Sequence, residues 1–255
     1  MLARYWSQYK SGGVHPSDDR YLNASNSLRW SCAAARQRTC LFQADRSFHG
    51  LVHTNLNPQP FVGNLDSASV YILMANPGLE LSDYDDDFGN ATHITASENN
   101  LRQTGIGFYP LLEASANTGA SRYWLSRVRA LERDLVNSLE ISPAQARKLL
   151  VRELAVIESG PYHSKTFPGA WCDRLPSSRA ARAFVRRVLL PRAEQGDALV
   201  FVMRRSAFWR IGEEHDKVIR RHPKHAQLSY ILEAERKRLL EFLVCRERRG
   251  VLPLA

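Results

Sequence analysis

The chain has 255 residues, 44% of them hydrophobic, enough to bury a full core in one elaborated domain or two small ones. Its formal charge of +9 comes mainly from arginine, 29 against six lysines, and arginine suits bidentate phosphate contacts. Met1 to Gly13 has no apolar run of signal-peptide length, and no window approaches the roughly 20 apolar residues of a membrane span. The expectation is a cytoplasmic protein with no membrane partner.

The charge is unevenly placed. Residues 1–120 carry eight basic and 11 acidic side chains, whereas residues 121–255 carry 27 and 15. A basic half beside a slightly acidic one suggests a nucleic-acid-facing side, and solvated Arg-rich helix faces would give the same tally. Cys32, Cys40, Cys172 and Cys245 form no C-x-x-C pair and no zinc-like spacing with histidine, so neither a metal nor another cofactor is expected.

Residues 1–65 are broken by Pro16, Pro58 and Pro60. They read as an N-terminal extension packed on a core domain of residues 66–255, with a helical patch around Leu28–Phe42. The apolar run Val70 to Ala75 then stops at Asn76-Pro77-Gly78. A short continuous apolar run bounded by turn signals is a strand covered on both faces. Pro77 cannot continue the strand and Gly78 permits a tight turn, so Asn76 is presented at a sheet edge. It is either a turn residue or a functional amide.

Residues 81–110 read as a long polar connection holding Asp83, Asp85, Asp86 and Asp87, then Phe108-Tyr109-Pro110. The acidic cluster is either a solvated loop or a weak Mg²⁺ candidate. A helix follows from Ser121 to Leu139, with Trp124, Val128, Leu131, Leu135 and Leu139 on one face. Another opens at Ser142-Pro143, where Ser caps and Pro occupies the first turn. Strands over Glu153–Ile157 and Ala198–Met203 flank a helix from Ser177 to Leu190 that ends at Pro191. A weaker strand, Lys217–Arg221, stops at His222-Pro223, and Leu228–Val244 forms a helical tail. Strands alternating with helices predict an α/β protein, a three-layer α/β/α sandwich around a mostly parallel four-stranded sheet. Open sheets of this kind bind ligands at the carboxyl ends of their strands.

Three strand ends carry a polar residue closely followed by proline: Ala75-Asn76-Pro77-Gly78, Glu158 before Pro161-Tyr162-His163-Ser164, and His222-Pro223. In this order they resemble the uracil-DNA glycosylase superfamily over residues 65–240, and the first is similar to the form in its mismatch-specific uracil/thymine branch. The third reads His222-Pro223-Lys224-His225-Ala226-Gln227-Leu228-Ser229, longer than the family's loop. The resemblance implies a monomeric, metal-free DNA glycosylase of bacterial or phage-related origin with no obligate protein partner. Asn76 would hold the hydrolytic water, with Glu80 or Asp83 as alternative helpers, and His222 would protonate or stabilise the leaving base. Glu158 would read the Watson–Crick edge of the extruded base, and Phe108 or Tyr109 would supply the stacking floor.

An ionised glutamate is acceptor-only, which suits the exocyclic amine of cytosine better than uracil or thymine. The expected substrate is therefore a damaged or modified base, such as a modified cytosine in foreign DNA. A structural pairing of Glu158 with Arg152, Arg204 or Arg205 is equally compatible with the sequence. His163 reads as a base contact, and Lys165, Arg204, Arg205, Arg210, Arg221, Lys224 and Ser229 as DNA contacts. A second reading is a non-catalytic module of the same fold that recognises extruded or single-stranded bases. A doubly wound nucleotide hydrolase is disfavoured, because no Gly-rich phosphate loop is present.

Overall fold

The computed structural model describes residues 1–9, 13–23, 29–30, 50–105, 107–212, 216–225 and 230–251. The expected helical patch at Leu28–Phe42 falls almost wholly outside them, as do Cys32, Cys40 and the proposed DNA contact Ser229.

Two short helices, α1 (Leu2–Trp6) and α2 (Pro16–Asn23), precede the paired two-residue strands β1 (Arg29–Trp30) and β2 (Val52–His53). The central sheet holds β3 (Phe61–Val62), β4 (Val70–Met74), β5 (Leu154–Glu158), β6 (Leu199–Val202) and β7 (Val218–Arg220), in the order β3-β5-β4-β6-β7. The four strands expected from the sequence are all present and parallel. The sheet has five strands rather than four, because Phe61–Val62 adds an antiparallel edge to β5. That strand comes from within residues 1–65, so the N-terminal segment is built into the sheet. Gly63 permits the close approach: its φ is +98°, and a Cβ there would lie 2.5 Å from the Leu154 carbonyl oxygen.

The polar connection after β4 is helical. It forms α3 (Leu81–Gly89) and α4 (Ala91–Arg102). Glu80 and Asp83 make a capping box at the start of α3, and the Asn90 side chain accepts from the His93 N–H at the start of α4. Next come α5 (Gly119–Leu139), capped by Thr118, and α6 (Pro143–Glu153), capped by Ser142 with Gln145 closing the box. After β5, α7 (Pro176–Phe184) passes through a π-helical turn, Val185–Leu189, into α8 (Leu190–Glu194). The helix therefore continues past Pro191, and the change of helical pitch falls just before it, at Val185–Leu189. A single turn, α9 (Ser206–Trp209), links β6 to β7, and α10 (Glu233–Val251) ends the described chain.

Alternation along the strands divides the core. Val70, Ile72, Met74, Leu154, Val156 and Phe201 face α5, α6 and α10. Tyr71, Leu73, Ala155, Ile157, Val200 and Val202 face α1 and the α7–α8 helix. Helices thus cover both faces, an arrangement compatible with three layers. The chain leaves β4 for β5 on one side and returns to β6 on the other, so the order reverses beside β4. A crevice opens at the carboxyl end of β4, at that switch point.

Candidate functional site

Met74 and Glu158 are register partners at the carboxyl ends of β4 and β5. The cavity beyond them has a volume of about 350 Å³, at the lower end of the range for small-ligand sites. Asn76, Glu158, His163, Lys165 and Arg204 all line it. Five of the residues singled out from sequence therefore meet in one place, although they span 128 positions of chain.

The orientation of Asn76 is fixed by its donors. Nδ2 donates to the Pro77 carbonyl (2.7 Å), the Ser164 carbonyl (3.2 Å) and Ser164 Oγ (2.9 Å). Among the described residues no donor reaches Oδ1, which remains the acceptor end of the amide. The Asn76 side chain does not cap the following helix; Glu80 occupies that position.

Glu158 lies two residues beyond Val156, on the face that α5 covers. It is 7% exposed, and its Oε2 is buried without a hydrogen-bond partner. Burial pushes its carboxyl well above the usual carboxylate range, only partly opposed by the Arg204 guanidinium. The neutral acid, with one O–H donor and one carbonyl acceptor, is the favoured form. Burial thus works against the acceptor-only carboxylate expected from the sequence. Glu158 also has no salt bridge to Arg152, which pairs with Glu153 and Glu247, or to Arg205, which pairs with Asp173.

His163 Nδ1 donates to the Gly78 carbonyl at 2.8 Å and lies 4.0 Å from Asp83. Lys165 pairs with Glu80 at 3.0 Å. The aspartates of α3 are engaged by the backbone: Asp83 accepts from the Glu80 N–H, Asp87 from that of Asn57, and Asp86 from that of Gly119 at the positive end of α5. They form a helix face and not a loop, and no group of three potential metal ligands occurs among the described residues.

The aromatic wall of the cavity differs from expectation. Phe108 is fully buried, packed edge-on against Trp124 at 5.2 Å, and Tyr109 is 3% exposed with its hydroxyl accepting from Gln59. Phe108 therefore belongs to the core and offers no ring face to a base. Tyr123 and Trp124, on the first turns of α5, line the cavity instead. The Arg127 guanidinium lies 3.1 Å above the Tyr123 ring centroid, and its Nε is buried with no hydrogen-bond partner. Sequence carried a partial signal for this pair: an aromatic and an arginine at i, i+4 on a helix face each other. Its place at the strand ends follows only from the packing of α5 on the sheet.

The other candidates lie elsewhere. His222 is exposed at the end of β7, where its Nδ1 accepts from the Lys224 N–H, and neither residue lines the cavity. Arg221 is buried in a bidentate pair with Glu235, at 3.0 and 2.6 Å, and cannot reach a phosphate. Arg205 binds Asp173 in the same manner at 2.6 and 3.0 Å. Arg210 is exposed. Burial pushes the Cys172 thiol up to about 12, far from the thiolate form that a nucleophile needs.

The fold is that of an α/β protein with a cavity at the carboxyl ends of β4 and β5, at a topological switch point. Comparison of the chain with protein-family models, curated proteins and solved structures finds no match.

Proposed function

We propose that this chain is a DNA glycosylase of the uracil-DNA glycosylase-like type, flipping a damaged or modified base into the strand-end cavity and hydrolysing its N-glycosidic bond. The observation that carries this reading is the orphaned carboxyl oxygen of Glu158, buried in the same cavity as the acceptor end of Asn76. A buried polar atom without a partner costs about 1–3 kcal/mol, and a ligand edge entering the cavity would recover it.

In this reading Asn76 Oδ1 holds a water for attack at C1′, on the face opposite the leaving base. Positioning of this kind lowers the barrier without requiring a strong base. Glu158, as a neutral acid, donates to the ring nitrogen of a cytosine-type edge and accepts from its exocyclic amine. That amine stands at the end of the base edge and can donate to Glu158 in either protonation state. The imide N–H of uracil is flanked by carbonyl oxygens on both sides. A neutral carboxyl pairs equally with that N–H and one of those carbonyls, so the substrate is a damaged or modified base, with a modified cytosine one candidate among them. Tyr123 takes the stacking position, and Arg204 and Arg127 stabilise charge on the departing base.

The alternative is a module that binds extruded or single-stranded bases without cleaving them. It is favoured by one observation: the expected proton donor, His222, does not line the cavity. Abasic-site formation on duplexes carrying modified cytosine, uracil or mismatched thymine separates the two. Binding without strand scission after alkali supports the module.

A further inference from the structure

Helix α7 and the π-helical turn that continues it carry Arg179, Arg182 and Arg186 at i, i+3 and i+7, one row on a single face. At the helical rise of about 1.5 Å per residue the row is roughly 10 Å long. Ser178, Ala181, Phe184 and Val185 are buried on the opposite side. Arg210, at the end of α9 with φ +51°, joins the row from another element. Partial burial, and after it the charges of Arg210, Arg179 and Arg186, push the Arg182 guanidinium down against the opposing charge of Asp173.

Among the described residues none of these four arginines has an ion pair. Asp173, the carboxylate whose charge acts on Arg182, is held by both arms of Arg205. Like charges gathered without counterions oppose folding, and a polyanion laid across them reverses that repulsion. The row connects to the end of β5 through Arg205. Arg205 donates to Ser159, the residue after Glu158, at 3.2 Å, and stacks over Phe208 at 5.0 Å, while Arg182 lies over the same ring at 5.1 Å.

We propose that Arg179, Arg182, Arg186 and Arg210 form a phosphate-tracking surface for the backbone of duplex DNA, a binding site separate from the base cavity. The choice of DNA as the polyanion rests on the glycosylase reading. The requirement for a polyanion does not. Arginine forks grip phosphate oxygens in pairs, and a row about 10 Å long is long enough to meet more than one phosphate of a strand.

The test is fluorescence anisotropy of a short unmodified duplex against the full-length protein and an Arg179→Gln/Arg186→Gln/Arg210→Gln variant, across a salt series. Each removed phosphate contact lowers the slope of log K against log salt by about 0.9. The variant should therefore lose between two and three units of slope, and about 10- to 100-fold in affinity at low salt. Its thermal midpoint should not fall, because these side chains are unpaired. Unchanged affinity and slope overturn the proposal. So does binding of phosphatidylserine vesicles that the variant loses while its DNA binding is intact. If the wild type binds duplex steeply with salt but excises nothing, the surface stands and the glycosylase reading fails. If excision proceeds and the variant binds as the wild type does, the reverse holds.

Discussion

The side-chain amide of Asn76 donates to both the carbonyl and the Oγ of Ser164, 88 positions further along the chain. This contact ties the turn after β4 to the segment after β5 and points one end of the amide. Removing the amide in Asn76→Ala should lower single-turnover excision by about 10²–10³-fold, the usual effect of losing one preorganised polar group, with duplex affinity unchanged. Ser164→Ala removes one hydrogen bond of about 1 kcal/mol and should reduce the rate by roughly tenfold or less. Equal rates in Asn76→Ala and wild type would remove the water-holding role.

Glu158 predicts a pH dependence of stability. Its carboxyl titrates well above the usual 4.5 in the folded protein, so the native state keeps a proton that the unfolded chain releases. Stability from this group is full below pH 4.5 and is lost as pH rises through the raised value. In Glu158→Gln that loss disappears. Urea unfolding across pH should show the variant gaining on wild type by at most about 1.4 kcal/mol per pH unit. A difference independent of pH would mean that Glu158 is ionised in the fold. The same variant should keep base recognition, since glutamine also presents one donor and one acceptor edge, while Glu158→Leu should lose it.

Arg221 is predicted to be structural. Its guanidinium and the Glu235 carboxylate are 1% and 7% exposed, and breaking such a pair strands a buried charge at a cost of about 3–5 kcal/mol. Arg221→Ala should shift the urea midpoint accordingly. A variant of wild-type stability with weakened DNA binding would return Arg221 to the DNA contacts.

Phe108 and Tyr123 should separate core from site. Phe108→Ala opens a void in a packed cluster and should cost about 3–5 kcal/mol of stability. Tyr123→Ala should cost less stability and instead weaken binding of base-bearing DNA by about 1–3 kcal/mol, the range for a lost base–aromatic stack. The two effects are read by urea unfolding and by affinity for a duplex carrying the substrate base.

Much of the sheet was legible because its strands are buried on both faces and read as unbroken apolar runs. The edge strand Phe61–Val62 was not: two residues beside Pro60 and Gly63 show no periodicity, and pairing with β5 alone defines them. The α3–α4 region reads as loop because Asp, Asn and Thr favour turns locally. Tertiary contacts override that preference, with Asp86 and Asp87 bonding the backbone of Gly119 and Asn57. Asn76 and Glu158 could be placed at strand ends because an apolar run followed closely by proline marks a fixed position. Phe108, Arg205 and Arg221 were misassigned because sequence shows neither burial nor a partner 14 or 32 residues away. The same limit hid the burial of Glu158, which pushes its carboxyl up.

The most direct test is a product screen on duplexes carrying cytosine, modified cytosines, uracil or mismatched thymine, comparing wild type with Asn76→Ala by alkali-sensitive strand scission. Wild type should generate abasic sites on at least one of these bases, and Asn76→Ala should bind the same duplex without cleaving. Excision retained by Asn76→Ala, or none by wild type on any base, would contradict the account.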